Sequence, residues 1–276
     1  MATIQSLLDS ADLPASPTAR LDAELLLAAV LGKSRSYLRT WPEHEPGAEQ
    51  LAAFAALLER CRMGEPVAYI LGHQGFWSLD LEVAPHTLIP RPDTELLVET
   101  ALQLAPATSQ RLLDLGTGSG AIALALASER AGWQVIGVDR IAEAVALAER
   151  NRQRLKLGNA EFRQSSWFDG LAGERFGLIL SNPPYIAADD RHLGEGDVRF
   201  EPLSALVAGV DGLDDIRQII AQAPQHLEAG GWLLLEHGYD QAEAVRGLLA
   251  AAGFTAVDSR RDLGGHQRIS LGRWTP

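Results

Sequence analysis

The spacing of apolar residues along the chain changes once, close to Gly72. Upstream of this point, apolar side chains recur every three or four positions in two runs, at 21–31 and 51–58. That is the spacing of an amphipathic helix. Ser16-Pro17 is a typical helix start, with a cap residue followed by a proline in the first turn. The pattern therefore predicts a small helical N-terminal domain over residues 1–72.

Downstream of Gly72, apolar residues alternate with polar ones. Within 76–83, every second position from 79 onward is apolar, which is the spacing of a strand that buries one face. We expect this strand to belong to a β-hairpin linker over 73–90. After a proline-rich stretch, Asp93 or Thr94 can cap a helix that runs to residue 104 and opens a second domain over 91–276.

Segments with strand and helix patterns alternate through most of the second domain. The predicted strands are 111–115, 134–139, 161–164, 178–182, 232–236, 255–259 and 268–271, and the predicted helices are 121–129, 142–155, 214–223 and 241–251. Such alternation indicates an α/β fold, a mainly parallel sheet with helices on both faces. Because the link between the last two strands is short, we expect that pair to be antiparallel.

Composition and charge narrow the class of protein. The chain has 276 residues, of which 24 are Lys or Arg and 36 are Asp or Glu, so its net charge is −12. This sign argues against a broad basic surface for nucleic acid. The single cysteine, Cys61, excludes an intrachain disulfide and suits a cytoplasmic location. We expect neither a secretory signal nor a membrane span, because no apolar stretch approaches about 20 residues.

A glycine-rich loop follows the first strand of the second domain. Glycines allow the backbone to approach a ligand closely. Asp139, at the end of the next predicted strand, can accept hydrogen bonds from a ribose diol. We interpret Asp139 as part of a nucleoside-cofactor site with the loop Gly116-Thr117-Gly118-Ser119-Gly120. The pattern alone leaves a nicotinamide dinucleotide and S-adenosylmethionine both open, and the ordinary structural alternative is a tight turn that binds nothing.

The tetrapeptide Asn182-Pro183-Pro184-Tyr185 ends the fourth predicted strand, at the edge where parallel sheets bind ligands. Two prolines stiffen the turn and leave backbone carbonyls as acceptors, and Asn182 adds a side-chain carbonyl oxygen. Two adjacent acceptors suit a planar –NH2 group, and Tyr185 offers a flat face to pack against it. Such a grip would aim a poorly nucleophilic nitrogen at an electrophile. The alternative is a rigid turn with only local hydrogen bonds.

Three flanking motifs make the pattern specific to one family. They are Gly72-His73-Gln74-Gly75-Phe76-Trp77, Ile89-Pro90-Arg91-Pro92-Asp93-Thr94-Glu95 and Phe200-Glu201-Pro202-Leu203. Together with the glycine loop and the Asn-Pro-Pro-Tyr turn, they span essentially the whole chain. The sequence resembles the release-factor glutamine methyltransferase family (HemK/PrmC type).

The resemblance implies a Rossmann-like class I methyltransferase sheet of seven strands, with a small N-terminal helical domain that docks the substrate and a hairpin linker. The implied reaction moves a methyl group from S-adenosylmethionine to the glutamine side-chain amide in the Gly-Gly-Gln motif of class 1 peptide chain release factors, and leaves S-adenosylhomocysteine. The implied cofactor residues are Gly116, Thr117, Gly118, Ser119, Gly120, Asp139, Trp167 and Asn182. The implied substrate residues are Asn182, Pro183, Pro184 and Tyr185, of which Asn182, Pro183 and Tyr185 are also catalytic.

One departure from the family pattern concerns the adenine. Ser166 precedes Trp167, where relatives often carry an acidic residue, so a side-chain contact to the adenine amino group is in doubt. Packing of the Trp167 ring against the adenine is still expected.

Several other groups are given structural interpretations. We expect no metal site: the polar residues Asp189, Asp190, His192, Glu195 and Asp197 fit no known ligand spacing and are interpreted as a solvated lid. His237 is interpreted as a histidine with satisfied hydrogen bonds, and Cys61 as a packing residue. The basic run over 150–156 is most often a solvated helix face.

Three rival functions remain open. A nucleic-acid amino-methyltransferase would present the same –NH2 geometry, but it must flip a base and neutralise phosphates, which the charge of −12 disfavours. A nicotinamide-dependent oxidoreductase would leave the Asn-Pro-Pro-Tyr turn without a role. A non-catalytic module would use its helical front end only to dock on a translation factor. We therefore expect release factors as partners and neither nucleic acid nor membrane.

Overall fold

The computed structural model describes residues 2–14, 16–105 and 108–276. The chain divides into two compact units. One unit comprises Met1–His73 and Arg191–Phe200, and the other comprises Gln74–Asp190 and Glu201–Pro276. Within the described residues, no helix is both long enough and apolar enough to cross a bilayer.

The segment Arg191–Phe200 departs from the predicted division of the chain. Its position in the sequence puts it inside the domain expected at 91–276, yet in the structure it groups with the N-terminal unit. It forms two short 3-10 helices, and the guanidinium of Arg199 donates to the carbonyl of Met63 over 3.4 Å. Such long-range contacts cannot be read from local spacing, which explains the difference.

The N-terminal unit is helical, as the spacing predicts. Its helices are α1 (Ile4–Asp9), α2 (Ala19–Leu31), α3 (Arg35–Thr40), α4 (Ala48–Arg62) and α5 (Val67–Leu71). Leu26 and Leu27 of α2 are fully buried, and Phe54 of α4 is 3% exposed. These side chains share one apolar cluster, so burial against one another stabilises the helices.

The predicted start of α2 is wrong by two residues. The helix begins at Ala19 after Thr18, rather than with a proline in its first turn. The Ser16 hydroxyl instead donates to the carboxylate of Asp22 over 2.5 Å. Its end is a common helix stop, with Gly32 in the left-handed region at φ 61°.

A buried carboxylate on α2 joins that helix to α3. Glu24 of α2 is 6% exposed, and its carboxylate accepts two hydrogen bonds from Arg35, at 2.7 and 3.0 Å, and one from Arg39 at 3.3 Å. Burial alone would raise the pKa of Glu24, but the two guanidinium groups outweigh it and hold the pKa below its usual value. Glu24 is therefore a fixed negative charge.

The second unit begins with the expected hairpin, β1 (His73–Phe76) and β2 (Leu79–Glu82). Trp77, which lies inside the segment with a strand pattern, belongs instead to the turn between these strands, at φ 57°. Leu81 is fully buried, as the alternation predicts.

The main sheet has seven strands in the order β5-β4-β3-β6-β7-β9-β8, which confirms the predicted fold class. The strands are β3 (Arg111–Leu115), β4 (Gln134–Asp139), β5 (Ala160–Gln164), β6 (Phe176–Ser181), β7 (Leu227–Glu236), β8 (Thr255–Arg261) and β9 (Gln267–Arg273). The helices are α6 (Glu95–Leu104), α7 (Ala121–Glu129), α8 (Ala142–Leu155), α9 (Asp214–His226) and α10 (Ala242–Ala251). The expected antiparallel pairing of the last two strands is also confirmed.

The register of the central strands brings their carboxyl ends to one level. Leu115 of β3 pairs with Val138 of β4 on one side and with Ser181 of β6 on the other. Ser181 pairs in turn with Leu235 of β7. The residues that follow these positions therefore meet at one edge, where the strand order reverses and α/β sheets bind ligands.

Candidate active site

A cleft opens at the carboxyl edge of β3, β4 and β6. Of the residues predicted for the site, those that line the cleft are Gly116, Thr117, Gly118, Ser119, Asp139, Trp167, Asn182 and Pro184. The cleft wall also includes the segment before α6, from His86 to Thr94, together with Arg140. The structure thus brings the glycine loop and the Asn-Pro-Pro-Tyr turn into a single concave site, and Gly120, Pro183 and Tyr185 are not among the residues that line it.

The glycine loop turns sharply between β3 and α7. Gly116 has φ 71°, and a Cβ there would lie 3.5 Å from the ring of Trp167. Gly120, the residue before α7, has φ 84°, and a Cβ would lie 3.0 to 3.1 Å from neighbouring side chains. The backbone of this loop therefore forms the floor of the cleft, with the Trp167 indole beside it.

Asp114 holds the glycine loop from behind. It is fully buried, and one of its carboxylate oxygens accepts a hydrogen bond from the Thr117 hydroxyl over 2.6 Å. Burial raises the pKa of Asp114 to about 7, although hydrogen bonds from Thr117 and from the backbone amide of Ala123 lower it. Asp114 therefore braces the loop.

Asp139 ends β4 with both carboxylate oxygens oriented by the backbone. One accepts from the amide of Gly118 over 3.0 Å, and the other accepts from the amide of Ile141 over 2.9 Å. Each oxygen keeps a further lone pair for another donor. Because Asp139 lines the cleft, it can accept hydrogen bonds from a ligand diol, as the sequence predicts.

Trp167 is held in an unusual backbone conformation, with φ 46°. Burial raises the pKa of Asp215, at the start of α9, whereas the charge of Arg140 and a hydrogen bond from the Trp167 indole lower it. Ser165 donates to the Trp167 carbonyl over 3.2 Å and accepts from the Gly170 amide over 2.9 Å. These bonds fix the backbone of Trp167, and the residue lines the cleft. Asp215 carries no local sequence signal and was missed.

Asn182 follows β6 directly, and its side chain already has one partner. Its amide nitrogen donates to the Thr94 hydroxyl oxygen over 3.1 Å, which leaves the amide oxygen as the free acceptor of a side chain that lines the cleft. Thr94 occupies the N-cap position of α6, one of the two residues predicted there, but its side chain makes no capping hydrogen bond. The Thr94 hydroxyl serves Asn182 instead.

Tyr185, at the other end of the turn, is anchored away from the cleft wall. Its ring packs against the apolar cluster on one face of the sheet, and its hydroxyl lies 3.4 Å from the carboxylate of Glu236. Burial and the neighbouring Glu236 raise the pKa of Tyr185 well above its usual value. The hydroxyl therefore stays protonated and donates.

Glu236 ends β7 beside this turn and is 2% exposed. Burial raises its pKa to about 7, whereas a hydrogen bond from Thr94, the charge of Arg268 and a hydrogen bond from Tyr185 lower it. Arg268 itself pairs with Asp262 over 3.0 Å. Glu236 was missed by sequence reasoning, because a glutamate at the end of an apolar strand carries no motif.

Two of the family-like motifs meet near the cleft. The carboxylate of Glu201, whose side chain is fully buried, accepts from the Ile89 amide over 2.9 Å and from the Arg91 guanidinium over 2.6 Å. These residues lie more than 100 positions apart in the chain, at separations of 112 and 110. Glu201 therefore braces the strip of chain that carries Arg91 and Thr94 into the cleft wall.

His237, Cys61 and the possibility of a metal site were also considered from the sequence, and the structure bears on each. His237 is fully buried and bonds Ser270 and the Gly238 carbonyl, each at 2.8 Å, which confirms a satisfied histidine. Cys61 is buried, which confirms its packing role, and burial raises its pKa to about 11. Among the described residues, no group of three or more His, Cys, Asp or Glu side chains is placed to hold a metal ion.

The sequence suggested that the basic run over 150–156 is a solvated helix face. In the structure, two of its arginines form ion pairs with the hairpin. Arg150 pairs with Glu82 over 2.9 Å, and Arg154 pairs with Asp80 over 3.0 Å. These two ion pairs join α8 to the second strand of the hairpin.

Comparison with known proteins identifies the family. Residues 3–72 match the PrmC N-terminal domain, and residues 92–195 match the methyltransferase small domain. The release factor glutamine methyltransferase of Pseudomonas aeruginosa is 69% identical over 99% of each chain. The protein of the same name from Vibrio cholerae is 56% identical, over 94% of this chain and 91% of its own.

A solved structure agrees with the fold. A methyltransferase from Pyrococcus furiosus superposes with a TM-score of 0.57 at 18% identity, covering 80% of this chain and 100% of its own. With relatives this similar over nearly the full length, the chain belongs to the release factor glutamine methyltransferase family.

Proposed function

We propose that this enzyme transfers the methyl group of S-adenosylmethionine to the side-chain amide nitrogen of the glutamine in the Gly-Gly-Gln motif of class 1 peptide chain release factors. One observation carries the proposal: Asn182 shares a cleft with the glycine loop and Asp139, and its amide nitrogen is already bonded to Thr94. The free amide oxygen is therefore available to accept from a planar –NH2 group in the same cleft.

The cleft fits the cofactor at several points. The Gly116–Gly120 backbone can approach the methionine portion closely, Asp139 can accept from the ribose hydroxyls, and the face of Trp167 can pack on the adenine. Ser166 lines the same cleft, but its short hydroxyl offers less to the adenine amino group than a carboxylate would. When bound, S-adenosylmethionine supplies a methyl group on a sulfonium, which is a strong electrophile. Transfer then needs alignment rather than a metal.

The residues of the Asn-Pro-Pro-Tyr turn would orient the substrate nitrogen. An amide nitrogen is a poor nucleophile because its lone pair is delocalised. If the Asn182 amide oxygen and the Pro183 carbonyl each accept one N–H, the nitrogen is held with its lone pair toward the methyl group. The same two acceptors stabilise positive charge that develops on the nitrogen as the bond forms. One N–H proton then leaves to water or to a neighbouring carbonyl, so no strong base is required.

Family membership supports a release-factor glutamine as the substrate, because the relatives are named release factor glutamine methyltransferases. The N-terminal helical unit is a natural candidate for docking the release factor, since none of the cleft residues described above comes from it. The rival assignment, methylation of a nucleic-acid amine, remains disfavoured by the net charge of −12. We expect no partner in membranes.

Mass spectrometry tests the proposal directly. The full chain is incubated with S-adenosylmethionine and a class 1 release factor, and the Gly-Gly-Gln peptide is sequenced by fragmentation. We expect one added methyl, on the glutamine side chain. A release factor with that glutamine replaced by alanine is the matched control and should gain none. Methylation of DNA or RNA instead, or tight cofactor binding with no turnover on either substrate, would contradict the proposal.

A further inference from the structure

The backbone carbonyl of Tyr185, where the Asn-Pro-Pro-Tyr turn ends, is held by a side chain 56 positions away in the chain. The Gln241 amide nitrogen donates to this carbonyl over 3.0 Å and to the carbonyl of Asp211 over 3.3 Å. The Gln241 amide oxygen accepts from the backbone N–H of Gly238 over 2.8 Å. One side chain therefore joins the loops that follow β6 and β7 to the loop that precedes α9.

Only one orientation of the Gln241 amide satisfies these three partners. A backbone carbonyl only accepts and a backbone N–H only donates, so a reversed amide would lose all three hydrogen bonds. Gln241 lies at the N-cap position of α10, where Ser, Thr, Asp and Asn are the preferred residues, and its side chain makes no capping hydrogen bond. The glutamine side chain therefore serves the loops rather than the helix that it precedes.

The peptide that joins Tyr185 to Ile186 is bonded on both sides. Its carbonyl accepts from Gln241, and its N–H donates to the carbonyl of Leu206 over 2.8 Å. Gly212, at φ 73°, lies so close that a Cβ there would collide with the Tyr185 carbonyl oxygen. The exit of the turn is therefore fixed in place, and Gln241 is the side chain that bonds its carbonyl.

The entrance of the turn is fixed by the sheet. Ser181, the last residue of β6, pairs with Leu115 on one side and with Leu235 on the other. Between entrance and exit, the two prolines hold φ at about −65°, so few torsions of the turn are free. A shift of the exit therefore displaces the backbone that carries the Asn182 amide and the Pro183 carbonyl.

We propose that Gln241 is a positioning residue for methyl transfer, which holds the exit of the turn so that Asn182 and Pro183 can grip the substrate –NH2 group. The inference rests on the proposed function, because that function requires both acceptors. Gln241 is not among the residues that line the cleft, so its effect passes through the turn. Misplacement of a reacting group by about 1 Å can lower a rate by about a hundredfold.

Two substitutions of Gln241 test the inference with little change of shape. Gln241→Glu keeps an oxygen for Gly238 but turns an acceptor toward the two carbonyls, and we expect kcat to fall by about tenfold to a hundredfold. Gln241→Met removes the hydrogen bonds without this repulsion and should lower kcat by about threefold to tenfold. The cofactor Kd, measured by calorimetry, should change by less than about threefold in both, since the glycine loop and Asp139 stay in place.

A substitution in the same helix is the matched control. Arg246 of α10 donates to Ser259 over 2.8 Å and to Gln267 over 3.1 Å. Arg246→Met removes these side-chain hydrogen bonds away from the turn, and kcat should stay within about twofold of the wild type. A fall in kcat as large as that of Gln241→Met would show that loosening α10 is enough, and would overturn the inference.

A double substitution separates positioning from general damage. If Gln241 acts through the turn, adding Gln241→Glu to Asn182→Ala should lower kcat by less than about threefold further. A loss as large as in the wild-type background would overturn the inference. Thermal unfolding identifies any variant that does not fold, and if Gln241→Glu is one of them, Gln241→Met decides in its place. Wild-type kcat in the folded Gln241 variants contradicts the inference and leaves the proposed function intact, whereas a wild type that methylates no release factor contradicts both.

Discussion

Two buried glutamates in this chain behave in opposite ways. Glu24 in the N-terminal helices is 6% exposed and Glu236 in the sheet unit is 2% exposed, so burial penalises the charge of both. Glu24 has guanidinium partners at 2.7 and 3.3 Å, and they hold its pKa below the usual value. Glu236 accepts a hydrogen bond from the Tyr185 hydroxyl over 3.4 Å, its second oxygen has no partner among the described residues, and burial raises its pKa to about 7.

The difference shows how partner chemistry separates a structural carboxylate from a functional one. Two arginines make Glu24 a permanent anion that clamps helices. Hydroxyl donors compensate desolvation less fully, which leaves Glu236 close to titration at neutral pH. Perturbed pKa values of this kind cluster at functional sites, and Glu236 lies beside the turn that carries Asn182. Four predictions test this contrast.

The largest effect is expected at Asn182, which lines the cleft beside the sheet edge where Glu236 lies. Asn182→Ala should lower kcat by about a hundredfold or more, because an oriented acceptor at the developing charge is lost. The cofactor Kd, measured by calorimetry, should change by less than about threefold. Methylation at a rate near that of the wild type would show that Asn182 does not orient the substrate.

A third carboxylate, Asp139, extends the comparison of partners, because its hydrogen-bond donors are the backbone amides of Gly118 and Ile141. Asp139→Ala should weaken cofactor binding by about 1.5–3 kcal/mol, the usual contribution of hydrogen bonds to a charged group. Asp139→Asn keeps an oxygen for one of the two amides and should lose less. Calorimetry with S-adenosylmethionine measures both. Asp169→Asn, at an exposed position of the same unit, is the control, and an equal loss there would refute the assignment.

The structural role of Glu24 predicts a loss of stability without a loss of catalysis. Glu24→Gln should lower the free energy of unfolding by about 1–2 kcal/mol, since hydrogen bonds to charged groups are lost while Arg35 and Arg39 stay hydrated. Urea unfolding gives the value, and kcat of the folded enzyme should not change. Glu59→Gln removes an exposed ion pair with Arg62 and should cost less than about 0.5 kcal/mol. A drop in kcat for Glu24→Gln would contradict a purely structural role for Glu24.

The last prediction concerns the opposite pH dependence of stability at the two sites. The pKa of Glu24 is lowered by folding, so its stabilisation is present above the unfolded pKa and lost as pH falls through the folded one. The pKa of Glu236 is raised to about 7, so the folded state binds the extra proton and stability falls as pH rises from about 4 to 7. Comparing unfolding of the wild type with Glu236→Gln from about pH 4 to 7, and with Glu24→Gln below about pH 4.5, isolates each slope. Slopes of the same sign would refute the contrast.

The sequence predicted the secondary structure well where the pattern is local. The bounds of β3, β4, α7 and α8 agree with the predicted ranges, because apolar periodicity and flanking glycines determine them. The errors fall where a side chain takes a distant partner in place of a local one. Thr94 lies at the N-cap of α6 but makes no capping bond with its side chain, and its hydroxyl contacts Asn182, 88 positions away.

The cleft shows the same division between local and long-range information. The glycine loop, Asp139, Trp167 and the Asn-Pro-Pro-Tyr turn stand in short motifs, so their types and spacing reveal them. Among the residues behind them, Thr94 and Glu201 stand in flanking motifs that do not reveal their contacts, and Asp215 and Glu236 stand in no motif. Their importance follows from contacts across the sheet, such as the 51 positions between Tyr185 and Glu236.

The sequence by itself determined the family, the order of strands and helices, and the groups that can meet a nucleoside and a planar –NH2 group. Those properties depend on residue type and spacing along the chain. Only the tertiary structure decided which way the Asn182 amide faces and whether a buried glutamate is a fixed anion or titrates near neutral pH. Both depend on which donors folding places around a group, since burial raises the pKa of any carboxylate and only its partners can lower it again.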